Sequence, residues 1–156
     1  MPKIDFSCVP VETGKPCYPT QCQDAMANLK LRPVSRKSGL MQFAAVLASL
    51  AHKTKSSLRH WHVQHDEFVM ATEGTLTVIE GDGAVKLDPA FPADVKNGHP
   101  LVKRAATRAA LLVIDMQSET ETAYHSNVVM TVKQQDGRFT FTPKIGEAIT
   151  SEANRS

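Results

Sequence analysis

The chain has 156 residues, enough for one domain with a sizeable core and too few for two. Its formal net charge is +2 with acidic and basic residues interspersed, and no block of Lys and Arg suggests a nucleic-acid groove. The longest apolar run is too short to span a bilayer, and the N-terminus lacks the apolar segment of a secretory signal. These features argue against nucleic-acid and membrane partners and predict a cytoplasmic protein.

Residues 1–39 are predicted to form an extended arm. They hold five of the nine prolines and two glycines, a density that prevents a long helix and allows only short edge strands. The arm also carries Cys8, Cys17 and Cys22, whose odd number and spacing predict free thiols, not a disulfide framework or a zinc knuckle. We expect the arm to lie over the domain or over a partner subunit.

The segment 40–51 has an ambiguous pattern. Its alanines and the spacing of its apolar residues fit a helix, whereas its length and position also fit a buried strand. The local pattern taken alone leans towards the helix.

The rest of the chain has the pattern of short strands separated by turns. The predicted strands are 58–62, 67–71, 75–80, 84–87, 109–116, 128–133 and 138–142. A loop is expected to run from Asp88 through Pro92 to Gly98, with His99 at the start of the next strand, and the tail after Gly146 is expected to fray. Short strands with frequent turn signals predict an all-β antiparallel sandwich or barrel.

Candidate metal ligands stand at the junction of the first two predicted strands. In an extended segment His60 and His62 share one face while Trp61 points away from both. Glu67 can add a third donor if residues 63–66 turn the chain and a second strand begins. Two histidines and a carboxylate with open coordination positions are a ligand set used for iron, manganese or zinc.

The same residues also have a structural interpretation. His60, His65 and Asp66 would then be solvated residues around a hairpin, and His62 a hydrogen-bonded core histidine. The suitably placed carboxylate of Glu67, the turn that follows it and a further histidine downstream favour the ligand set.

This pattern resembles the first motif of the cupins, which are small jelly-roll barrels. That motif has two histidines one apart, a glutamate five residues beyond the second and a glycine seven residues beyond the glutamate. His60, His62, Glu67 and Gly74 match it without an insertion. The second cupin motif ends in a fourth histidine ligand, and Pro92 with Gly98-His99 resembles it.

The resemblance implies an all-β cupin barrel over residues 40–146, with a strand at 40–51 in place of the helix. It also implies that one divalent ion, of iron, manganese, zinc or nickel, is bound by four residues, His60, His62, Glu67 and His99. Trp61 would face away from the metal and pack in the core. Residues 1–39 would be an arm of the same domain or one exchanged in a homodimer, and 147–156 a polar tail.

The chain departs from the cupin pattern at several positions. Lys53-Thr54 stands where Pro-Gly is usual, and the second motif is shortened and carries Asp94 and Lys103 in place of glycine and asparagine. Tyr124-His125-Ser126 replaces a Tyr-Pro-Asp that relatives carry near the end of the barrel.

Within the family, the residues around His60 and Glu67 look most like small bacterial single-domain cupins labelled sugar-phosphate isomerases by homology. The resemblance therefore implies a metal-dependent isomerase acting on a small polar metabolite such as a sugar phosphate. His65 or Tyr124 would carry the proton, and the cations that could meet a phosphate are Arg59, Lys96, Lys103 and Arg104. The alternatives are a non-catalytic barrel that binds a small ligand or a metal, and a metal-dependent dioxygenase or lyase.

Overall fold

The fold was analysed in a computed structural model of the chain. The residues whose structure is described are 3–14, 17–80, 83–89, 92–94, 101–102, 107–125, 128, 130–136, 138–143 and 149–152. The predicted ligand His99 and the predicted phosphate ligands Lys96, Lys103 and Arg104 lie outside these ranges. Within them, no helix has the length and apolar character needed to cross a membrane.

The described residues form antiparallel strands and one short α-helix. The strands are β1 (Glu12–Thr13), β2 (Leu29–Pro33), β3 (Phe43–Leu50), β4 (Trp61–His62), β5 (Glu67–Glu73), β6 (Leu76–Glu80), β7 (Gly83–Leu87), β8 (Pro92–Asp94), β9 (Leu101–Val102), β10 (Ala109–Met116), β11 (Thr120–His125), β12 (Met130–Gln135), β13 (Arg138–Pro143) and β14 (Ile149–Glu152). The helix α1 covers Val34–Ser38, and 3-10 turns cover Phe6–Cys8, Thr20–Cys22 and Asp24–Met26. The prediction of an all-β antiparallel fold is confirmed.

The strands are arranged in three sheets. One has the order β1-β2-β3-β10-β5-β8, the second β14-β13-β12-β11-β4, and the third β7-β6-β9. All three sheets contribute to a single core, in which Leu50, Leu111, Val132, Phe141 and Leu76 are buried. Burial of these apolar side chains is the main term that stabilises the barrel.

Residues 43–50 form strand β3, as the family resemblance implied, so the helical interpretation of the local pattern is wrong. The strand lies between β2 and β10 and pairs with both over most of its length. Neighbouring strands satisfy its backbone hydrogen bonds on both edges, and this tertiary pairing outweighs the helix propensity of its alanines.

Three other expectations for the chain need correction. The loop predicted after Asp88 contains strand β8, which pairs with β5. The tail predicted to fray contains β14, which pairs with β13 over four residues. The predicted arm is not confirmed as an extended element over the barrel, because β2 is a strand of the largest sheet and Met26 and Leu29 are fully buried in the core. The pairing of β8 with β5 joins distant residues, whereas β13 and β14 are consecutive strands that form a hairpin.

Gly74 is required where β5 turns into β6. Its φ is +67°, and a Cβ atom at this position would lie 2.6 Å from the carbonyl oxygen of Arg108. Gly39, which ends α1 at φ +69°, has no atom within 4 Å of such a Cβ. Substituting the two glycines therefore distinguishes the effect of backbone strain from the effect of steric overlap.

We predict that Gly74→Ala lowers the free energy of unfolding by more than Gly39→Ala does. The left-handed backbone costs a non-glycine residue about 1–2 kcal/mol at either site, and only Gly74 adds a clash with backbone that must move. Denaturant unfolding of the two variants beside the parent measures the difference. Equal losses would show that the close approach of Arg108 has no energetic consequence.

Candidate metal centre

The short strand β4 sets the direction of the first candidate ligands. It pairs with β11 so that His62 lies opposite Ala123 and Trp61 opposite Tyr124. Because side chains alternate along a strand, His62 turns to the buried face with Ala123. Trp61 and Tyr124 are 39% and 40% exposed and stack with ring centroids 5.3 Å apart. Trp61 does point away from the histidines as predicted, but its expected packing in the core is wrong.

The imidazoles of His60 and His62 meet at their Nε2 atoms, which lie 3.1 Å apart. The two rings are nearly perpendicular, with centroids 4.8 Å apart. The Nδ1 atom of His60 is 2.8 Å from the carbonyl oxygen of Leu58. A carbonyl oxygen only accepts, so Nδ1–H of His60 is the donor and its Nε2 carries the lone pair.

Glu67 joins the two histidines from the opposite sheet. It is the first residue of β5, and its ligand atom lies within 4.8 Å of those of His60 and His62. Residues 63–66 carry the chain from β4 to β5, as predicted. Asp115 of β10 lies opposite Glu67 in the register, so a second carboxylate shares this part of the interior.

The protonation of His62 is set mainly by burial. Burial lowers the pKa of His62 below its ordinary value of 6.5, and this effect outweighs the raising effects of Glu67 and Glu121. A neutral imidazole is the form that binds metal ions. The surroundings of His62 therefore favour the neutral imidazole, which can bind a metal ion.

The arrangement of these three residues fits a divalent metal ion. Two nitrogen ligands about 2.1 Å from one ion, at tetrahedral or octahedral angles, lie about 3.0–3.4 Å apart. The separation of 3.1 Å between the Nε2 atoms of His60 and His62 falls in this range. Two neutral imidazole nitrogens at this distance have at most one proton to share, whereas a cation between them satisfies both lone pairs. His60, His62 and Glu67 would hold the ion.

A second group of polar side chains lies behind His62. Glu121 and the side chain of His65 are almost fully buried, and His65 Nε2 lies 3.1 Å from Glu121 Oε2. The same nitrogen is 2.8 Å from Ser118 Oγ, while His65 Nδ1 is 3.6 Å from Asp115 Oδ1. The rings of His62 and His65 stack with centroids 5.6 Å apart. Both nitrogens of His65 are thus turned to protein groups, which does not favour the proton transfer to a substrate that the sequence suggested.

His125 supports the other ligand, His60. Its ring stacks on His60 with centroids 5.3 Å apart and planes 16° from parallel. The hydroxyl of Tyr18 is hydrogen-bonded to His125 Nε2 at 2.9 Å, and burial raises the pKa of Tyr18, so this hydroxyl stays protonated. Tyr18 comes from the segment predicted to be an arm, so the N-terminal residues contribute to the surroundings of the site.

The structure brings together three of the four predicted ligands, His60, His62 and Glu67. His65 lies beside them, whereas Tyr124 is on the outer face of β11 and does not reach the cluster. Sequence reasoning missed Glu121, His125 and Tyr18. The sequence of 120–125 does not alternate between polar and apolar residues, so only the burial pattern of β11 shows that the first two face inward.

The fold resembles those of solved proteins. A crystal structure described as a sugar phosphate isomerase of the cupin superfamily, from Silicibacter pomeroyi, superposes with a TM-score of 0.88. It is 37% identical in sequence, and the match covers 96% of this chain and 98% of that one. No protein-family model matches the chain, and no match was found among the curated proteins.

Two more distant structures share the fold. A protein from Acidithiobacillus ferrooxidans, named as a candidate sugar phosphate isomerase, gives a TM-score of 0.72 at 15% identity over 80% of this chain and 83% of that one. A cupin-2 domain from Rhodospirillum rubrum gives 0.57 at 15% identity over 75% of each chain. At these identities the likeness concerns the fold alone.

The lowered pKa of His62 predicts how stability depends on pH in the metal-free protein. Below about pH 6.5 the unfolded chain binds a proton at His62 before the folded chain does. The free energy of unfolding therefore falls with decreasing pH, by at most about 1.4 kcal/mol per pH unit for this one proton. The parent should lose more stability than His62→Gln between about pH 7 and pH 5 in denaturant unfolding. Parallel curves for the two proteins would contradict the assignment.

Proposed function

The chain belongs to the cupin superfamily, and we propose that it is a divalent-metal-binding cupin that isomerises a sugar phosphate or a similar small polar metabolite. The observation that carries the metal site is the convergence of His60, His62 and Glu67, with two imidazole nitrogens 3.1 Å apart. The reaction class comes from the name of the relative that is 37% identical over nearly the whole of both chains.

In this proposal the residues of the chain hold and orient the ion. His60 and His62 present bare Nε2 atoms from one sheet, and Glu67 presents a carboxylate from another. A bound divalent ion supplies a Lewis acid that polarises a carbonyl or enediolate oxygen. His60 keeps its orientation through the carbonyl of Leu58 and the stacked ring of His125. The buried surroundings strengthen these electrostatic interactions.

The proposal also includes a homodimer, because the outer face of the largest sheet is apolar. On β10, Leu111 and Val113 point to the core, so the residues between them point outward. Eight outward-pointing residues on β3, β5 and β10 pair across the strands and are apolar, while Ser49 at the end of this face is polar. The eight are Phe43, Ala45, Leu47, Phe68, Met70, Leu112, Ile114 and Met116. A continuous apolar face of this extent is typical of a protein–protein interface, and a second copy of the chain offers an identical face.

We predict that the purified protein contains about one equivalent of iron, manganese, zinc or nickel. His62→Ala should contain less than a tenth of that amount, because it loses one of three ligands. His52→Ala is the matched control, since His52 is an exposed histidine outside the cluster and its loss should leave the metal content unchanged. Elemental analysis after size-exclusion chromatography gives the measurement.

The same preparations test the reaction. Isomerase turnover on a panel of aldose and ketose phosphates should disappear after chelation and return with the added metal. The absence of metal in the parent, even after reconstitution, would overturn the metal site. Stoichiometric metal without turnover on any substrate would instead favour a non-catalytic binding protein, and redox-active iron with dioxygen consumption would favour a dioxygenase.

For the homodimer we predict that Phe43→Lys raises the dissociation constant at least tenfold. Phe43 is 46% exposed on the outer face of β3, and a buried unpaired ammonium would oppose association. Val85→Lys is the control, because Val85 is also an exposed apolar residue, at 59%, and lies on β7 in a different sheet. Sedimentation equilibrium measures both variants. A monomeric parent would refute the dimer without affecting the metal site.

A further inference from the structure

Glu121 occupies an unusual place for a carboxylate. It lies on β11 beside β4, two residues before Ala123, which is opposite His62 in the register. Its alternation with Ala123 turns it inward, and only 6% of its surface is exposed. A buried carboxylate is costly unless hydrogen-bond donors compensate it, so its neighbours indicate its role.

Nitrogen atoms lie near both oxygens of Glu121, and one of them is a hydrogen-bond donor. The backbone N–H of Val63 donates to Oε1 at 3.1 Å, and the Nδ1 atom of His62 lies 3.4 Å from the same oxygen. His65 Nε2 lies 3.1 Å from Oε2 without hydrogen-bonding it, and it is hydrogen-bonded to Ser118 Oγ. Val63 therefore fixes the oxygen that faces His62.

The Nδ1 atom of His62 needs such an acceptor. When Nε2 of His62 faces His60 and binds an ion, the proton of the neutral ring must reside on Nδ1. This Nδ1 is buried without a hydrogen-bond partner among the described residues, and Glu121 Oε1 at 3.4 Å is placed to become its acceptor. In His60 the corresponding Nδ1–H donates to the carbonyl oxygen of Leu58, which is uncharged.

We propose that Glu121 is a positioning residue that holds His62 in the Nδ1–H tautomer and orients its ring for metal binding, while the backbone N–H of Val63 anchors the carboxylate. The inference rests on the proposed metal site and deepens it. Carboxylate acceptors behind a metal-binding histidine raise its basicity, and their loss typically weakens metal affinity about 10- to 100-fold. The two ligand histidines then differ, since only His62 has a charged partner.

The test compares Glu121→Gln with Glu119→Gln. The first keeps the side-chain shape but removes the charge, and the second removes a charge from an exposed residue two positions earlier. Cobalt(II) titration, followed by the visible absorption of the bound ion, gives the affinity, stoichiometry and ligand geometry. In the metal-free proteins His60 Nε2 and Glu121 Oε1 compete for the one proton of neutral His62, and 15N NMR of labelled imidazoles reports the tautomer, a property that a general loss of stability does not change.

We expect Glu121→Gln to bind cobalt about 10- to 100-fold more weakly, with an altered absorption spectrum and a His62 tautomer equilibrium shifted towards Nε2–H, while Glu119→Gln matches the parent in all three. Unchanged affinity and an unchanged tautomer in Glu121→Gln would overturn the inference. The inference would also be overturned if the parent bound two cobalt ions per chain and Glu121→Gln bound one, because Glu121, His62 and His65 would then hold an ion of their own. If the parent binds no cobalt, the metal site fails, and the tautomer still tests the contact between Glu121 and His62.

If Glu121→Gln does not fold, Glu121→Asp serves as the second variant. It keeps the charge but withdraws the carboxylate from His62 Nδ1. The inference requires a loss of cobalt affinity in the same direction. An affinity and a His62 tautomer equal to those of the parent in a folded Glu121→Asp would overturn the inference.

Discussion

The burial of ionisable side chains against one another is the constraint on which the rest of this structure depends. Imidazoles and carboxylates from β5, β10, β11 and the segment around β4 share one region of the interior; they are His60, His62, His65, His125, Glu67, Asp115 and Glu121. Removing such groups from water is costly unless each gains a partner. The carboxylates supply negative charge and the imidazoles supply lone pairs, so the region as a whole favours a cation.

The barrel buries its ionisable side chains together because β5 and β10 each carry a carboxylate on the inner face and apolar residues on the outer face. On β5 and β10, Glu67 and Asp115 point inward to the cluster, whereas the adjacent Phe68 and Ile114 point outward into the apolar face. The period of two along a strand lets consecutive residues serve the proposed metal centre and the proposed subunit interface. A shift of one residue in the register would exchange the two sets and destroy both surfaces.

The two candidate ligand histidines are contacted by different groups. His60 and His62 stand one residue apart and point to the same place, yet one is supported by a carbonyl and a stacked ring and the other by a carboxylate. Glu121, which lies beside His62, comes from β11, and Tyr18 near the N-terminus contacts His125, which stacks on His60. The N-terminal residues are therefore part of the barrel and of the site's support.

Much of the fold and part of the site could be predicted from the sequence. Alternating apolar residues and turn signals gave the antiparallel strands, and β10 was predicted with the bounds that it has. His60, His62 and Glu67 come together because only the four residues 63–66 separate β4 from Glu67, the first residue of β5 in another sheet. Such local relations depend on strand periodicity and on a short turn, and both are written in neighbouring residues.

Other features were decided only by the tertiary structure. The alanine-rich segment of β3 is a strand because β2 and β10 pair with its two edges. Glu121 and His125 reach the histidines because β11 pairs with β4 across some sixty residues of sequence. The sequence by itself determined the strand pattern and the ligand motif, because both follow from local periodicity. The partners that orient the ligands followed from long-range strand pairing, which a local pattern does not contain.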